Sequence, residues 1–401
     1  MKNIIIGPSH VVRMQHAFIT SSLKLNVLQP TFIGMGGAPT WSEVIFDRTA
    51  SCYSPEDKIS YILGDFRFGN NILADDVDLS QVKKNYINVH REFISEDYDN
   101  LMCEFYVKGL DRWMSSYNGL HVIPWTLIMR RAENLKFSIH INSDMEYRHP
   151  VYNDFDLIKK YCDDDFIKCL SIPYNILNNF YIDSDLHPST LGYMFLTKCI
   201  ERKSPFKSIY LSIYHLNKCI RKFFSKMKID KKIFISGESI AIPTLSKILP
   251  VDLCFSDLIS LSSEPQSGRI HIKLMATNAI IEINQKKNEA SDEVILFPWD
   301  YLGFNSISKR HPDLKRLKPD ELELSNVSYV DYFNFFDSDE LFDIGEKLTP
   351  TLKGFLFILS LASNLPHDRK KKIIEETIQE IFNGNYHTST KIKFWFKYLL
   401  N

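Results

Sequence analysis

Ile4-Ile5-Ile6-Gly7-Pro8-Ser9-His10 decides how the rest of this chain is read. Three consecutive β-branched apolar residues predict a buried strand, and Gly-Pro directly behind them predicts a sharp exit from it. Ser9 then falls at the carboxyl end of a first central strand, where open α/β sheets place their ligands. A serine held there serves as a nucleophile only if a histidine from elsewhere takes its proton. The candidate lies far downstream, in Asp183-Ser184-Asp185-Leu186-His187-Pro188-Ser189. Serine first and Asp-x-His last, in that order, argue for an enzyme.

Working outward from Ser9, strand-like and helix-like stretches alternate. Val11–Leu23 is amphipathic, Thr31-Phe32-Ile33 reads as a strand, and Gly34-Met35-Gly36-Gly37 follows it as a glycine-rich loop. Ile59–Leu63 is a further short apolar run, closed by Gly64-Asp65-Phe66-Arg67-Phe68-Gly69-Asn70-Asn71. Leu120–Ile123 and Phe137–Ile141 read as additional strands. This alternation predicts an α/β fold with a parallel sheet covered by helices.

From Pro205 to Lys228 the pattern becomes one long helix. Ile209, Ile213, Leu216, Ile220, Phe223 and Met227 recur at helical steps, and Lys207, Lys218, Arg221, Lys222, Lys226 and Lys228 decorate the stripe. Those basic side chains read as a solvated face or as a contact for an anionic ligand. The chain then starts again. Ile233-Phe234-Ile235-Ser236-Gly237-Glu238-Ser239 repeats the apolar run followed by Gly-x-Ser, and Ile295–Asn305 echoes Ile62–Asn71. Leu348-Thr349-Pro350-Thr351-Leu352-Lys353-Gly354-Phe355 lines up with Leu186-His187-Pro188-Ser189-Thr190-Leu191-Gly192-Tyr193. Three echoes in one order predict an internal duplication. Thr349 stands in place of His187, and threonine is no base near neutral pH, so the second copy is expected to be catalytically dead.

Composition narrows the class. At 401 residues the chain is long for one core, and 44% hydrophobic with 24% charged residues is globular. A net charge of −1 gives no reason to expect a nucleic-acid partner. No apolar run approaches the ~20 residues that span a bilayer, and the first strand leaves no room for a signal peptide. The seven cysteines form no C-x-x-C pair, so the expectation is a reduced, cytoplasmic protein with neither disulfide framework nor metal. Asp163-Asp164-Asp165 reads as a solvated loop or a helix start.

Taken as an ordered set, the first half resembles the SGNH (GDSL-like) family of serine esterases and acyltransferases. Gly7-Pro8-Ser9-His10 matches its serine block in the Gly-x-Ser-His form, Gly34–Gly37 its glycine block, and Gly69-Asn70 its asparagine block. Asp185-Leu186-His187 followed by Gly192 resembles the histidine block of polysaccharide O-acetyltransferases; Ser184 stands where the commoner Asp-x-x-His form has aspartate. The resemblance implies two flavodoxin-like or Rossmann-like three-layer domains joined by a long helix. Their expected bounds are 1–204 (catalytic), 205–229 (basic linker helix) and 230–401 (degenerate copy).

It further implies roles. Ser9 would be the nucleophile and His187 its general base, oriented by Asp185 or Asp183. Backbone N–H groups of Ser9 and the Gly36-Gly37 loop, with the Asn70 amide, would hold the oxyanion. Arg67 and Trp41 are candidate substrate contacts, although an Asp65–Arg67 ion pair and core packing of Trp41 explain them as well. Each residue also reads structurally: Ser9 as a helix cap, Asn70 as a turn residue, Ser184 and Asp185 as caps of a helix near Pro188. His10 and His16 read as structural or helix-surface residues rather than bases. The implied activity is acyl-ester chemistry on a saccharide in a bacterial cytoplasm, needing no cofactor, with acetyl-CoA or another acyl donor if the enzyme is a transferase. Two rival classes remain at the sequence level. One is a two-Rossmann glycosyltransferase using Lys309-Arg310-His311-Pro312 and the Asp-x-Asp triplets at 183–185 and 337–339; the other is a non-catalytic binding protein.

Overall fold

The computed structural model describes residues 1–20, 23–25, 27, 29–64, 96–129, 136–137, 147–148, 159–182, 187–237, 241–261, 270–275, 294–298, 342–343 and 349–383. The chain divides into two compact units, residues 1–16 with 25–210 and residues 17–24 with 211–401. Both are mixed α/β and each is built on a parallel sheet.

In the first unit, β1 (Asn3–Gly7) lies between β2 (Pro30–Gly34) and β3 (Lys58–Ile62), and β4 (His121–Ile123) flanks β3. All three pairings are parallel, with Ile5 opposite Phe32 on one side and Ser60 on the other. Ile4, Ile5 and Ile6 have no solvent exposure, which is why a continuous apolar run rather than an alternating one forms this strand. Gly7 ends it at φ +155°, and a Cβ there would sit 2.5 Å from the Ile62 carbonyl oxygen. Only glycine lets β1 leave the sheet so close to β3.

The helix after the exit, α1, runs Ser9–Ile19, starting earlier and ending earlier than the apolar pattern Val11–Leu23 predicts. Between β2 and β3 lies α2 (Glu43–Ala50), and α3 (Glu96–Ser116) precedes β4. Tyr106, Leu110, Trp113 and Tyr117 repeat along α3 and its end at three- and four-residue steps, and all four are buried. Trp113 gathers this packing: its ring lies 4.9 Å from Phe46 and 5.1 Å from Tyr61, bridging α2 and β3. Burial of one such side chain contributes roughly 1.5–3 kcal/mol.

A short α4 (Trp125–Met129) follows β4. Of the strand expected at Phe137–Ile141, only Phe137 is described: it belongs to β5 (Lys136–Phe137), paired antiparallel with β6 (Tyr147–Arg148) and outside the parallel sheet, while residues 138–141 lie outside the described residues. The aspartate run opens α5 (Asp164–Cys169), with Asp163 at its N-cap position, and no metal-binding cluster occurs among the described residues. Next come α6 (Tyr174–Leu177), α7 (Thr190–Ile200) and the long α8 (Pro205–Met227). The apolar stripe of α8 is buried throughout. Lys207, Lys218, Arg221, Lys222 and Lys228 are exposed, as in a solvated face, and surface ion pairs join Arg221 to Asp257, Lys222 to Glu380, and Lys226 to Glu376 and Glu380.

In the second unit, β7 (Ile233–Gly237) is followed by α9 (Ala241–Ile248), β8 (Ile259–Leu261), β9 (Ile270–Met275) and β10 (Val294–Pro298). These strands are parallel in the order β10-β9-β7-β8, so the first strand is again central, with the second on one side and the third and fourth on the other. The first unit has the same order. Gly237, like Gly7, lies close against the third strand of its sheet, since a Cβ there would lie 2.7 Å from Leu274 on β9. Beyond it, β11 (Phe342–Asp343) pairs antiparallel with β12 (Thr349–Pro350), then α10 (Leu352–Ser360) and α11 (His367–Asn383) follow. No helix among the described residues is long and apolar enough to cross a membrane.

Candidate active site

Ser9 sits two residues past the exit glycine of β1, as the first residue of α1, and remains partly exposed. The eleven-residue helix directs its N-terminal partial positive charge and unsatisfied N–H groups to this end, and its first turn holds no acidic residue to compete for them. Among the described residues, no acceptor takes the N–H of Ser9.

His187 arrives from the other end of the unit. Its Nε2 lies 3.0 Å from Ser9 Oγ, although 178 positions separate the two in the chain. The segment carrying it is pinned by its backbone. The Ile182 N–H donates to the His187 carbonyl at 2.8 Å, the Ser189 N–H donates to the Phe180 carbonyl at 3.0 Å, and Tyr181 bridges Pro188. Ser189 adds two more ties. Its hydroxyl donates to the Asn179 carbonyl at 2.7 Å and accepts the Gly192 N–H at 3.3 Å, capping α7. Ser189, and not Ser184 or Asp185, is therefore the cap of the helix that follows.

The glycine loop lies alongside. The Met35 N–H donates to the Gly7 carbonyl at 3.3 Å, tying the end of β2 to the exit of β1. A turn then closes from the Ala38 N–H to the Met35 carbonyl at 3.1 Å, with Gly37 at φ +68° in its third position. The N–H groups of Gly36 and Gly37 bond no described acceptor, and a side chain on Gly36 would meet nothing within 4 Å. α3 supports this loop from behind: Trp113 donates its indole N–H to the Thr40 carbonyl at 2.7 Å, and the Thr40 hydroxyl donates to the Tyr106 carbonyl at 3.0 Å. Tyr106 in turn donates its phenol to the Gly64 carbonyl at 3.3 Å, where the chain leaves β3. One helix thus holds the loops after both β2 and β3.

Of the residues singled out by sequence, Ser9, His187 and the Gly36-Gly37 loop belong to one unit, and Ser9 meets His187. Trp41 is partly exposed, with its ring 5.7 Å from Phe105 of α3. Asp65, Arg67, Asn70, Asp183, Asp185, Ser239, the basic run at 309–312 and the triplet at 337–339 lie outside the described residues. His10, read from the sequence as a structural or helix-surface residue, lies beside the pair. Its ring packs 5.3 Å from that of His187 at an interplanar angle of 45°, and both rings are buried.

The second unit has its own serine–histidine contact, Ser236 Oγ to His271 Nε2 at 2.6 Å. Its setting differs from that of Ser9. Ser236 precedes the exit glycine, lies within the strand and is only 4% exposed. Counting back from the exit glycines, Ser236 stands where the first unit has Ile6 and His271 where it has Ile59. It is a polar pair in place of an apolar one, on the sheet rather than at its mouth. Where the first unit has His187 before a capped helix, the second has Thr349, and Thr351 caps α10 by accepting the Gly354 N–H at 3.1 Å.

Comparison with protein-family models, curated proteins and solved structures gives no match for this chain.

Proposed function

We propose that the first unit is an SGNH-like catalytic domain that performs serine-dependent acyl-ester chemistry on a carbohydrate, as an O-acetyltransferase or acetylesterase. The observation that carries this reading is the 3.0 Å contact between Ser9 Oγ and His187 Nε2 at the carboxyl end of a central parallel strand. The strand order β2-β1-β3-β4 supports it, being the first four positions of the flavodoxin-like order. On this reading the second unit, with the same order and Thr349 in the histidine's place, is a degenerate copy.

Ser9 Oγ attacks the ester carbonyl carbon while His187 Nε2 takes its proton. The carbonyl oxygen gains the negative charge and is held by N–H donors at the start of α1 and in the Gly36-Gly37 turn. The tetrahedral centre collapses, His187 returns the proton to the leaving alkoxide, and an acyl group remains on Ser9. Water or a sugar hydroxyl, deprotonated by His187, then attacks the acyl group and frees Ser9. Incubation with an aryl acetate should give a burst of phenol release and a mass increase of one acetyl group on the peptide containing Ser9. An acetyl group found elsewhere, or none with a quenched sample taken during the burst, would defeat this reading.

A further inference from the structure

We propose that His10 is a positioning residue, whose ring sets the plane of the His187 imidazole so that Nε2 faces Ser9 Oγ. The inference rests on the reading of Ser9 and His187 as nucleophile and base.

A general base must be oriented by a third group, because a pinned backbone still leaves an imidazole two torsions to rotate. Backbone bonds from Ile182 and Ser189 fix the main chain around His187 but place no restraint on its ring. His10 supplies one. It is the second residue of α1, so its backbone is set by the same helical turn that presents Ser9. Its side chain is 4% exposed, and the centroid separation of 5.3 Å with a 45° tilt falls within the range of favourable aromatic contacts. Rotation of the His187 ring toward His10 meets a buried ring. Nucleophile and wall are therefore adjacent in sequence, and any shift of the start of α1 moves both relative to the base together.

The contact acts through shape, so an aromatic ring without nitrogen should largely replace it. The test is the reaction of the full chain with a fluorophosphonate probe, resolved into its binding constant and its inactivation rate, alongside a thermal melt. His10→Ala should slow inactivation on the order of 10–100-fold at an unchanged binding constant, since small misplacements of reacting groups cost rates of that order. His10→Phe should recover most of the loss. His10→Asn, also short of a ring, serves as the second truncation if His10→Ala does not fold. If the parent chain is labelled at Ser9 and a folded truncation reacts at the parent's rate, the positioning role is wrong. It is equally wrong if folded His10→Phe reacts as slowly as the truncations. A parent chain not labelled at Ser9 would instead overturn the reading of the site itself.

Discussion

The hydroxyl of Ser9 and Nε2 of His187 are 3.0 Å apart, and each is delivered by a separate tight device. Gly7 turns the chain out of the sheet immediately before Ser9, and Ser189 fastens the segment immediately behind His187. The site therefore depends on residues that need never touch a substrate, and several consequences can be measured.

Ser189→Ala removes both the α7 cap and the bond to the Asn179 carbonyl. Loss of a serine cap costs about 0.5–2 kcal/mol. Urea unfolding should show a loss near the upper end of that span, and esterase turnover should fall because His187 is two residues away. Ser189→Thr should retain most of both, since Thr351 caps α10 in the same manner. Unchanged stability in the alanine variant would contradict the assignment.

Gly109→Ala sets two known effects against each other. In an exposed helix interior the change gains about 1 kcal/mol. Here the new Cβ would lie 2.7 Å from the Thr40 carbonyl carbon, and overpacking of that kind costs about 1–3 kcal/mol. The variant should come out destabilised, with α3 pushed from the loop after β2. A higher melting temperature would show that the contact relaxes freely.

His121 predicts an acid sensitivity. Burial, with the charge of Arg202 second, lowers its pKa from the ordinary 6.5 to about 3. Asp163 stands 3.9 Å from its Nε2, but that carboxylate is largely exposed and does not offset the burial. Below pH 6.5 the unfolded chain takes up a proton that the folded chain refuses, so stability falls as pH falls toward 3. The contribution is at most about 1.4 kcal/mol per pH unit. His121→Gln should flatten the dependence of unfolding free energy on pH over that window; an unchanged slope would remove His121 as its source.

Ser236→Ala should leave turnover within a few-fold of the parent, because Ser236 is enclosed in the sheet. It should nonetheless lose about 0.5–1.5 kcal/mol of stability, the net contribution of a hydrogen bond such as that to His271. A loss of turnover without a loss of stability would move the chemistry to the second unit.

Much of this was legible in the sequence. Ile4–Ile6 could be read because a central parallel strand is buried on both faces, which leaves a continuous apolar run. The turn at Gly7 and the pairing of Ser9 with a downstream histidine followed from residue types. α3 was overlooked although Tyr106, Leu110, Trp113 and Tyr117 carry its period; aromatic residues there resemble scattered core. Phe137 was placed in the parallel sheet because a short apolar run does not say which partner its strand takes. The packing of His10 on His187 was out of reach, since adjacency to Ser9 in sequence says nothing about which distant ring the side chain meets.

The central claim is that Ser9 and His187 act as one nucleophile–base unit. Fluorophosphonate labelling of the full chain, mapped by peptide mass spectrometry, tests it most directly. The parent should be modified at Ser9, Ser9→Ala should not react, and His187→Ala should react slower by orders of magnitude with little change in melting temperature. Residues that act as one catalytic unit are strongly non-additive, so the double variant should be scarcely worse in turnover than either single one. Undiminished labelling of Ser9→Ala, or of His187→Ala, would contradict the account.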